Sequence, residues 1–535
     1  MLRHLITADQ AFPEMERLVL GARESLDIAL HLFSPRTKTR SAASHDRTLV
    51  DWGDLIADAA RRGVSIRILL NDFDPAGWAD MHARVWERVA MLGEAFADMT
   101  AQERQRVVVL VAHPGGQAGA ALRLLAWPRV RGHLKTAIAD FKQRGRRLPP
   151  GLDALDHGTV RWWPPTANFT QTLHQKFLLA DGERAILGGL DIDERRYDDP
   201  GHRRNAQQTW HDVCVAFDGP PAEQLERHFE RCWAAVQADG TSHAPAFRRS
   251  HPDFPLTLVD TAAHARARPH SAPAPDTSAG PCRIAATLPV PGRNPLRFGP
   301  RPDDCSLLEA HLELIAGARR YIYVESQFFR FSMIRDSLVS ALERNRDLHL
   351  IMLLPGAPDV VAYEGARSGV QRYGEWLQMR ACNRLADAFP DRFGVFSLTN
   401  DRDRAEHNER DALHGKAMVY VHSKLMIADD RVAIVGSANL NGRSMRWDVE
   451  AGLMAHDEGF AVGLRRDLWH VHLGEIAADL DPVEAPEGSL AVWRRQAELR
   501  RNAGRSSAID GIVPFPLART RRFAKDHLFV PEEMV

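Results

Sequence analysis

The sequence predicts a duplicated α/β protein in which two similar, layered halves build one functional centre. Two observations predict this fold class. One spaced polar pattern occurs twice in the 535 residues, 248 positions apart. Helix-like and strand-like segments also follow one another in the same order in both halves. We therefore expect a monomer with internal pseudo-two-fold symmetry, with one half-site contributed by each copy.

The repeated pattern has a fixed spacing. Each copy starts at a His and places Lys at +2, Asp at +7, Gly at +14, Gly or Ser at +15, and Asp or Asn at +17. The copies occupy residues 174–181 and 422–429, and apolar spacer positions agree as well. A lone His-x-Lys carries no weight, since His414 and Lys416 also stand two apart without an Asp at +7. Agreement at six positions in register indicates a true repeat.

The order of elements is the second observation. Apolar periodicity in the first half predicts helix, strand, helix and strand over residues 12–23, 26–33, 48–62 and 64–70. The second half repeats that order over residues 307–316, 321–328, 333–344 and 348–354. Alternating helices and strands are typical of an α/β layered fold.

Composition places the boundaries between these units. Residues 262–302 are rich in Ala, Arg, Pro and Ser, which is typical of a linker or a surface loop. We therefore expect a first half over 1–250, a connecting segment over 251–302, a second half over 303–500, and a tail over 501–535.

The repeated pattern carries a specific chemistry. Apolar runs predict strands over residues 172–179 and 420–427, so the His and the Lys of each copy lie on the same strand face. Two imidazoles and two ammonium groups around one point suit an anion such as a phosphate. A neutral His can attack as a nucleophile, and a protonated one can donate to a leaving oxygen. This is sufficient for displacement at a phosphodiester.

Lysine usage supports a role for both +2 positions. The chain has only seven Lys among 69 basic residues, yet Lys176 and Lys424 both occupy this position. A compact, strongly hydrated charge is therefore favoured there over the arginine that the chain uses elsewhere. The alternative, that His174 and His422 are merely satisfied core histidines, fits the repeat poorly.

Composition excludes several classes of site. The 69 basic and 70 acidic residues give a net charge of −1, so no dedicated nucleic-acid binding is expected. The five cysteines are scattered, which predicts neither a disulfide framework nor a zinc site. No His, Cys or carboxylate cluster has metal-ligand spacing, so we expect no metal and no cofactor at the reacting centre.

With these residues, the chain resembles the phospholipase D superfamily and its paired His-x-Lys-x4-Asp (HKD) motifs. The segments at 188–192, 210–213, 322–327 and 434–445 are similar in detail to the eukaryotic-type enzymes. The resemblance implies two α/β/α sandwich half-domains packed as a pseudo-dimer around one active site. It also implies phospholipase D activity: hydrolysis of the distal phosphodiester of a glycerophospholipid to phosphatidic acid, with transphosphatidylation as a variant.

The resemblance also implies roles for individual residues. His174 becomes the phosphohistidine, His422 serves as general acid and base, and Lys176 and Lys424 clamp the phosphate. Four further positions are expected beside the phosphate, namely Gly188, Gly189, Ser437 and Asn439. Asp212 is expected to orient His174, and Glu450 to orient His422.

The remaining motif acids have a structural interpretation. Asp181 and Asp429 complete the catalytic motifs, but they fall at strand ends, where Asp usually ties down a turn. Asp191, at +17 of the first copy, would repel a phosphate, so it either turns away or is neutralised by Arg195 or Arg196.

Three other functions stay open at this point. A cardiolipin-synthase-like phosphatidyltransferase or a nuclease-type phosphodiesterase would use the same residues. A catalytically dead membrane-binding scaffold is the non-enzyme alternative. The early polar N-terminus and the lack of a long apolar run predict a cytoplasmic or peripherally membrane-associated protein. Export as an effector without a signal peptide is compatible with the same features.

Overall fold

A computed structural model shows two mixed β-sheets flanked by helices. It describes residues 1–152, 160, 165, 168–261, 280–400, 410, 412–503, 511–527 and 529–535. The strands of one sheet come from residues 2–258 and those of the other from residues 282–514. The predicted α/β class with two half-domains is confirmed.

The elements of the first half follow in chain order. They are β1 (Leu2–Ile6), α1 (Thr7–Gly21), β2 (Ser25–Leu30), α2 (Ala42–Asp46), α3 (Trp52–Arg61), β3 (Ser65–Asn71), α4 (Ala79–Glu94), α5 (Ala101–Gln105), β4 (Val107–Ala112), α6 (Ala120–Gln143), β5 (Phe177–Ala180), β6 (Arg184–Gly188), β7 (Val213–Asp218), α7 (Pro220–Asp239), α8 (Ala244–Ser250) and β8 (Thr257–Leu258).

The elements of the second half follow in the same way. They are β9 (Cys282–Val290), β10 (Arg301–Asp304), α9 (Ser306–Gly317), β11 (Tyr321–Glu325), α10 (Ser332–Arg344), β12 (His349–Leu353), α11 (Asp359–Ala362), α12 (Gly369–Ala388), β13 (Phe393–Asn400), β14 (Ala412–Leu413), β15 (Lys416–Val419), β16 (Leu425–Ala428), β17 (Val432–Gly436), α13 (Gly442–Arg446), β18 (Glu450–Ala455), α14 (Glu458–Leu473), α15 (Pro486–Ala503), β19 (Gly511–Pro514) and α16 (Leu517–Phe523).

The two sheets repeat one topology. The first runs β1-β7-β6-β5-β2-β3-β4-β8, and the second contains the matching run β18-β17-β16-β11-β12-β13. The register repeats too: Leu26 pairs with Ala180 in the first sheet, as Ile322 pairs with Ala428 in the second. In both sheets the motif strand is antiparallel to a central strand whose other neighbour is parallel. The duplication in the sequence is therefore a duplication of structure.

Alternation along the strands sorts apolar side chains into layers. On β11, Tyr321 and Tyr323 face a core shared by both halves, whereas Ile322 and Val324 face an outer core beneath α9 and α10. The shared core also takes apolar residues of α7, α14 and α15. The outer core of the first half lies under α1, α3 and α4. Each sheet is thus covered on both faces, and the layer between the sheets belongs to both halves.

Three segments differ from the sequence-based expectations. The motif strands begin at Phe177 and Leu425, after the His and the Lys instead of before them. Strand β9 lies within the expected connecting segment 251–302 and pairs with β18, whereas 262–279 lie outside the described residues. Strand β19 lies within the expected tail 501–535 and pairs with β13. The composition of 262–302 as a whole concealed β9, because its Pro-rich and polar flanks outweigh the mostly apolar residues of the strand itself.

The motif aspartates anchor the turn after each motif strand. Asp429 adopts a left-handed backbone conformation with φ 54°, and Asp181 does the same with φ 57°. The Asp429 carboxylate accepts hydrogen bonds from the backbone N–H groups of Arg319, Arg320 and Tyr321, at 2.7–2.9 Å. Asp181 makes the matching bonds to residues 23–25. Both aspartates therefore fasten the motif strand to the start of the central strand.

Among the described residues, no helix is both long enough and apolar enough to cross a bilayer.

The anchoring role of Asp429 can be tested with an isosteric change. Asp429→Asn keeps one acceptor oxygen but turns an N–H donor toward the Arg319 backbone N–H, so we expect the free energy of unfolding to fall by about 1–3 kcal/mol. Asn tolerates positive φ, so backbone strain does not contribute. Chemical denaturation measures the change, and Asp391→Asn, at an exposed aspartate, is the matched control. A loss of turnover with unchanged stability would contradict this role.

Candidate active site

The two halves meet through the segments that carry the motif histidines. The backbone N–H groups of His174 and Gln175 both donate to the Val449 carbonyl, just before β18. Those of His422 and Ser423 both donate to the His211 carbonyl, just before β7. These bonds take the N–H groups that a longer motif strand would use, which explains why β5 and β16 start late. Each motif is therefore attached to the opposite half.

The histidine–carboxylate pairs also cross between the halves. His174 Nδ1 lies 2.8 Å from Glu450 Oε1, and His422 Nδ1 lies 2.6 Å from Asp212 Oδ2. The sequence-based assignment, with Asp212 on His174 and Glu450 on His422, was wrong. Asp212 directly precedes β7, and Glu450 begins β18. The residue before each acid, His211 or Val449, accepts the backbone hydrogen bonds of the other half's motif. Each carboxylate therefore lies beside the histidine of that other half.

The carboxylates leave one ring nitrogen of each histidine for chemistry. With Nδ1 donating to the acid, Nε2 carries the lone pair and faces away from the carboxylate. Both acids are fully buried, whereas the His174 side chain is 16% exposed and that of His422 is 7% exposed. Glu450 is held in turn by the Ser437 hydroxyl, which donates at 2.5 Å, and Asp212 by the Val213 N–H at 2.9 Å.

Burial and the lysines keep both imidazoles neutral. Burial, and then the charge of Lys176, hold the pKa of His174 well below its ordinary value. Burial, and then the charge of Lys424, do the same for the pKa of His422. Lys424 also lowers the pKa of His174, and Lys176 that of His422, so the two motifs share one site.

The acids and one lysine also have displaced pKa values. Burial raises the pKa of Asp212 and that of Glu450 each to about 7, although the lysines oppose the rise. Burial lowers the pKa of Lys424 to about 7. Each imidazole–carboxylate pair therefore carries less than a full negative charge at neutral pH. The site is cationic and holds little negative charge of its own, which favours an anionic ligand.

The lysines and the small residues brace the motifs. Lys176 and Lys424 each donate to the backbone carbonyl of the histidine two residues earlier. A Cβ on Gly189 would lie 2.1 Å from Asp212 Oδ1, so only glycine lets β6 approach this acid. The Gly188 N–H donates to the Lys176 carbonyl, which holds the lysine in register. Among the residues expected near a phosphate, Gly188, Gly189 and Ser437 thus contact the motif residues and their acids.

Asn439 and Asp191, the residues at +17, have different surroundings. The Asn439 side-chain amide donates to Gln327 Oε1 at 3.2 Å, and its Oδ1 is buried without a partner. Asp191 accepts from the Leu32 N–H at 2.8 Å. Of the two interpretations of Asp191, its carboxylate therefore turns to the backbone, although Lys176 and Arg196 still lower its pKa against the effect of burial.

Comparisons with known proteins agree with this geometry. Residues 311–471 match the family described as "Cardiolipin synthase, PLD-like domain". Phospholipase D2 of Bos taurus is 26% identical over 382 residues, covering 63% of this chain and 38% of that protein. Phospholipase D zeta 2 of Arabidopsis thaliana is 22% identical over 536 residues, covering 69% of this chain and 49% of that protein. These comparisons support membership of the phospholipase D superfamily.

The chain is also similar to a solved structure. The phosphatidylserine synthase of Haemophilus influenzae Rd KW20 aligns over 93% of both chains, with 10% identity and a TM-score of 0.49. The chain covers less than half the length of the two curated phospholipases named above.

Sequence reasoning gave three residues around the superfamily motifs no role beside the two histidines. The Arg196 guanidinium lies 3.6 Å above the Trp210 ring, which packs 4.5 Å from the His422 ring. Arg196 also has a buried Nη1 without a partner, and its charge lowers the pKa of His422. The His31 ring lies 4.9 Å from that of His174, at the end of β2. The sequence offered only weak signals, namely the Arg195-Arg196 pair and a histidine closing a strand.

A second buried network holds the His422 motif from below. Glu325 accepts from Tyr323 at 2.6 Å and from Ser423 at 2.5 Å. It also bonds His211 at 2.9 Å and His472 at 2.8 Å. The carbonyl of the same His211 accepts from the backbone N–H groups of His422 and Ser423, so Glu325 holds both partners of this contact. Glu325 lies in the segment 322–327 that resembles the eukaryotic-type enzymes, and the structure makes it a support of the motif.

The crossed pairing predicts how stability depends on pH. Between the ordinary pKa values of Glu and His, 4.5 and 6.5, the folded His174–Glu450 pair and the unfolded chain each bind one proton. In Glu450→Gln the folded imidazole stays neutral, while the unfolded one still binds a proton below pH 6.5. Stability should therefore fall as pH falls, by up to about 1.4 kcal/mol per pH unit, where the wild-type pair adds no slope.

A second substitution identifies the partner. Adding His174→Gln to Glu450→Gln should remove the new slope, whereas adding His422→Gln should leave it. Chemical denaturation from pH 4.5 to 7 measures both. If His422→Gln removed the slope instead, the pairing would run within each half.

Proposed function

We propose that the chain is a phospholipase D, which hydrolyses the distal phosphodiester of glycerophospholipids through a phosphohistidine on His174. The crossed pairs carry this proposal. They present two neutral imidazoles, each with Nδ1 on a buried acid, to one cationic site, and superfamily members are phosphodiesterases or phosphatidyltransferases. Two equivalent imidazoles suit a double displacement, in which one attacks phosphorus while the other moves protons.

The first step forms the covalent intermediate. His174 Nε2 attacks phosphorus, the bond from phosphorus to the headgroup oxygen breaks, and His422 Nε2 gives its proton to the leaving alkoxide. His422 must be protonated for this step, and the incoming phosphodiester charge offsets the lysines that hold its pKa down. Asp212 then stabilises the imidazolium through Nδ1–H, as a positioning carboxylate does in other histidine enzymes.

The second step releases the product. Neutral His422 accepts a proton from water, the water oxygen attacks phosphorus, and the P–N bond to His174 breaks. Phosphatidic acid leaves and His422 is protonated again. An alcohol in place of water gives headgroup exchange by the same sequence of bonds.

The assignment of His174 as the nucleophile rests on its greater exposure and on the resemblance to members whose first motif carries the intermediate. An attacking imidazole must reach phosphorus directly, and His174 is the more exposed of the two. Lys176, Lys424 and Arg196 surround the same point and would neutralise the phosphoryl oxygens. The free Nη1 of Arg196 makes this arginine a further anion ligand.

An exposed surface beside the site favours a lipid substrate. We call it the rim patch: four exposed apolar residues with two exposed arginines, Leu124, Leu125, Leu296, Phe298, Arg129 and Arg293. No acidic residue occurs in the sequence between 113 and 139 or between 277 and 302, although the whole chain is nearly neutral. Apolar side chains flanked by cations suit the surface of an anionic bilayer.

The rim patch is connected by direct contacts to the segments that lead to His174 and Glu450. The loop of residues 294–297 is bonded to the first turn of α6: the Gly119 N–H donates to the Arg297 carbonyl at 2.8 Å. The neighbouring Gln117 forms a bridge with Phe169, five residues before His174. Gly299, at the other end of the loop, packs on Trp447, three residues before Glu450. A bilayer at the patch would therefore bring headgroups to the entrance of the site.

Phosphatidyl transfer is the second candidate. The family model that matches residues 311–471 is named for cardiolipin synthase. The same phosphohistidine would then react with the hydroxyl of phosphatidylglycerol instead of water. A nuclease-type activity has less support, because the rim patch combines cations with large apolar side chains.

Product analysis tests the activity. Purified protein is incubated with defined phospholipid vesicles, with and without phosphatidylglycerol, and with single-stranded DNA as a separate substrate. We expect phosphatidic acid and free headgroup, at an initial rate that EDTA in the assay changes by less than about twofold, because the imidazoles supply the nucleophile and the acid. DNA cleavage without lipid cleavage would overturn the proposal, as would loss of activity in EDTA that a metal restores while the melting temperature stays unchanged.

Intermediate trapping tests the division of labour. His174→Ala should abolish hydrolysis and headgroup exchange. With a substrate whose leaving group needs no proton, His422→Ala should still form a phosphoenzyme and then stall, because the second step lacks its base. Acid-quenched protein is digested and the phosphohistidine is located by mass spectrometry. A label on His422 in the wild type would reverse the assignment, and no label during proven turnover would favour a single displacement.

The rim patch is tested by vesicle flotation. Leu125→Glu combined with Phe298→Glu should weaken binding to anionic vesicles by about tenfold or more, since two apolar contacts are lost and two repulsive charges are added. Turnover of a dispersed short-chain phospholipid should be unchanged. Leu499→Glu, at an exposed leucine of α15, is the matched control. Equal vesicle binding by all three proteins would remove the patch from the proposal.

A further inference from the structure

A cluster of three histidines surrounds one buried aspartate in the first half, apart from the reacting pair. Asp72 follows β3, His82 lies in α4, His113 follows β4, and His243 precedes α8. Asp72 Oδ1 lies 2.6 Å from His82 Nδ1, and Asp72 Oδ2 lies 2.8 Å from His243 Nδ1. His113 Nε2 lies 3.9 Å from the same Oδ2. Asp72 and His82 are fully buried, and His113 is almost so.

The outer nitrogens of two of these rings are fixed on backbone carbonyls. His82 Nε2 lies 2.7 Å from the Pro150 carbonyl and must donate to it. The His113 ring makes a backbone hydrogen bond at Phe73, while its Nε2 is buried without a partner. A ring tied in this way directs its other nitrogen at Asp72. Metal-ligating histidines are typically oriented by such a bond.

Hydrogen bonding alone leaves this cluster incomplete. In the described part of the chain, Asp72 forms no ion pair with a lysine or an arginine, and its ionic partners are the three histidines. His113 Nε2 is too far from Asp72 for a hydrogen bond, yet its lone pair faces that carboxylate. A buried acceptor facing another acceptor is unfavourable unless a cation lies between them.

We propose that Asp72, His82, His113 and His243 bind one zinc ion. Three imidazoles and one carboxylate are zinc's preferred N and O ligands, and four protein ligands give the closed tetrahedron of a structural site. Zinc ligands lie roughly 3.3 Å apart at metal–ligand distances of about 2.0–2.1 Å. The ligand atoms of Asp72, His82 and His243 lie within 4.8 Å of one another, and their two short contacts would open by about 0.5–0.7 Å. His113 Nε2, 3.9 Å from Asp72 Oδ2, would move inward to complete the set.

The ion would brace the wall behind His174. Asn71, next to Asp72, accepts from the Leu173 N–H at 2.8 Å. Asp74 accepts from the Phe169 N–H at 2.9 Å, and the His113 ring stacks on Phe169 at 4.0 Å. Zinc would thus join the ends of β3 and β4 to α4 and α8 and fix the segment that leads into the first motif. It takes no part in the reaction.

Metal analysis of the whole chain tests this site without a phospholipid. Untagged protein is equilibrated with zinc, dialysed, and analysed by mass spectrometry for metal content. We expect one zinc per chain in the wild type and in His133→Gln, a control at an exposed histidine of α6. His113→Gln should bind zinc at least roughly 100-fold more weakly in chelator competition. Cobalt should give the intense visible absorption of a four-coordinate ion in the wild type and not in this variant.

The His113→Gln variant distinguishes a zinc site from a cluster held together by hydrogen bonds alone. In such a network His113 Nε2 makes no bond, so His113→Gln would not change metal content or the effect of zinc on the melting temperature. With a zinc site, zinc should raise the melting temperature of the wild type and of His133→Gln, but not that of His113→Gln. If His113→Gln fails to fold, the wild type still decides the question. Substoichiometric zinc, cobalt without that absorption, or no zinc effect on melting would each overturn the proposal.

Discussion

The crossing of the histidine–carboxylate pairs is the contact on which the whole site depends. Neither half contains a complete pair: the first half supplies His174 and Asp212, and the second supplies His422 and Glu450, and each acid serves the other half's histidine. The attached backbone crosses in the same way, from His174 to Val449 and from His422 to His211. A half-domain alone would bury a carboxylate without its hydrogen-bonded partner, which is costly. Packing of the halves and assembly of the site are therefore one event.

The layer between the sheets makes that assembly rigid. It contains inward-facing residues of both motif strands, such as Leu179 and Ile427, together with the aromatic residues of α14 and α15. Glu325 lies fully buried at this junction and joins Tyr323, His211, His472 and Ser423. The four hydrogen bonds that converge on Glu325 fix the relative position of the two motifs, although Nδ1 of His211 and of His472 is buried without a partner. A small shift of one half would break these bonds before it moved an imidazole.

The sequence was sufficient for the duplication, the α/β class and the meeting of His174 with His422, because these follow from periodicity and repeated spacing. It could not assign Asp212 and Glu450. Each acid lies at the start of a strand, next to the residue that receives the other half's motif, and its offset along the chain does not show which histidine it faces. Only the parallel bridges at the boundary, Leu173 with Val449 and His211 with Val421, decide the pairing. Spacing describes a chain along its length, whereas these contacts depend on how two sheets are laid against each other.

The sequence did not reveal the Asp72 cluster for the same reason: its four residues come from separate segments of the chain with no regular spacing. Sequence motifs for metals exist where one loop or helix supplies several ligands, and here each of four elements supplies one. The reacting centre is the opposite case. Its residues have a regular spacing in the sequence, but the protonation states of its histidines and acids depend on burial, which the sequence does not show. Two lysines and Arg196 surround neutral imidazoles, while the buried acids have pKa values raised to about 7. The buried acids therefore offset less of this positive charge than two full carboxylates would, and an anionic ligand between the two Nε2 atoms would offset the rest.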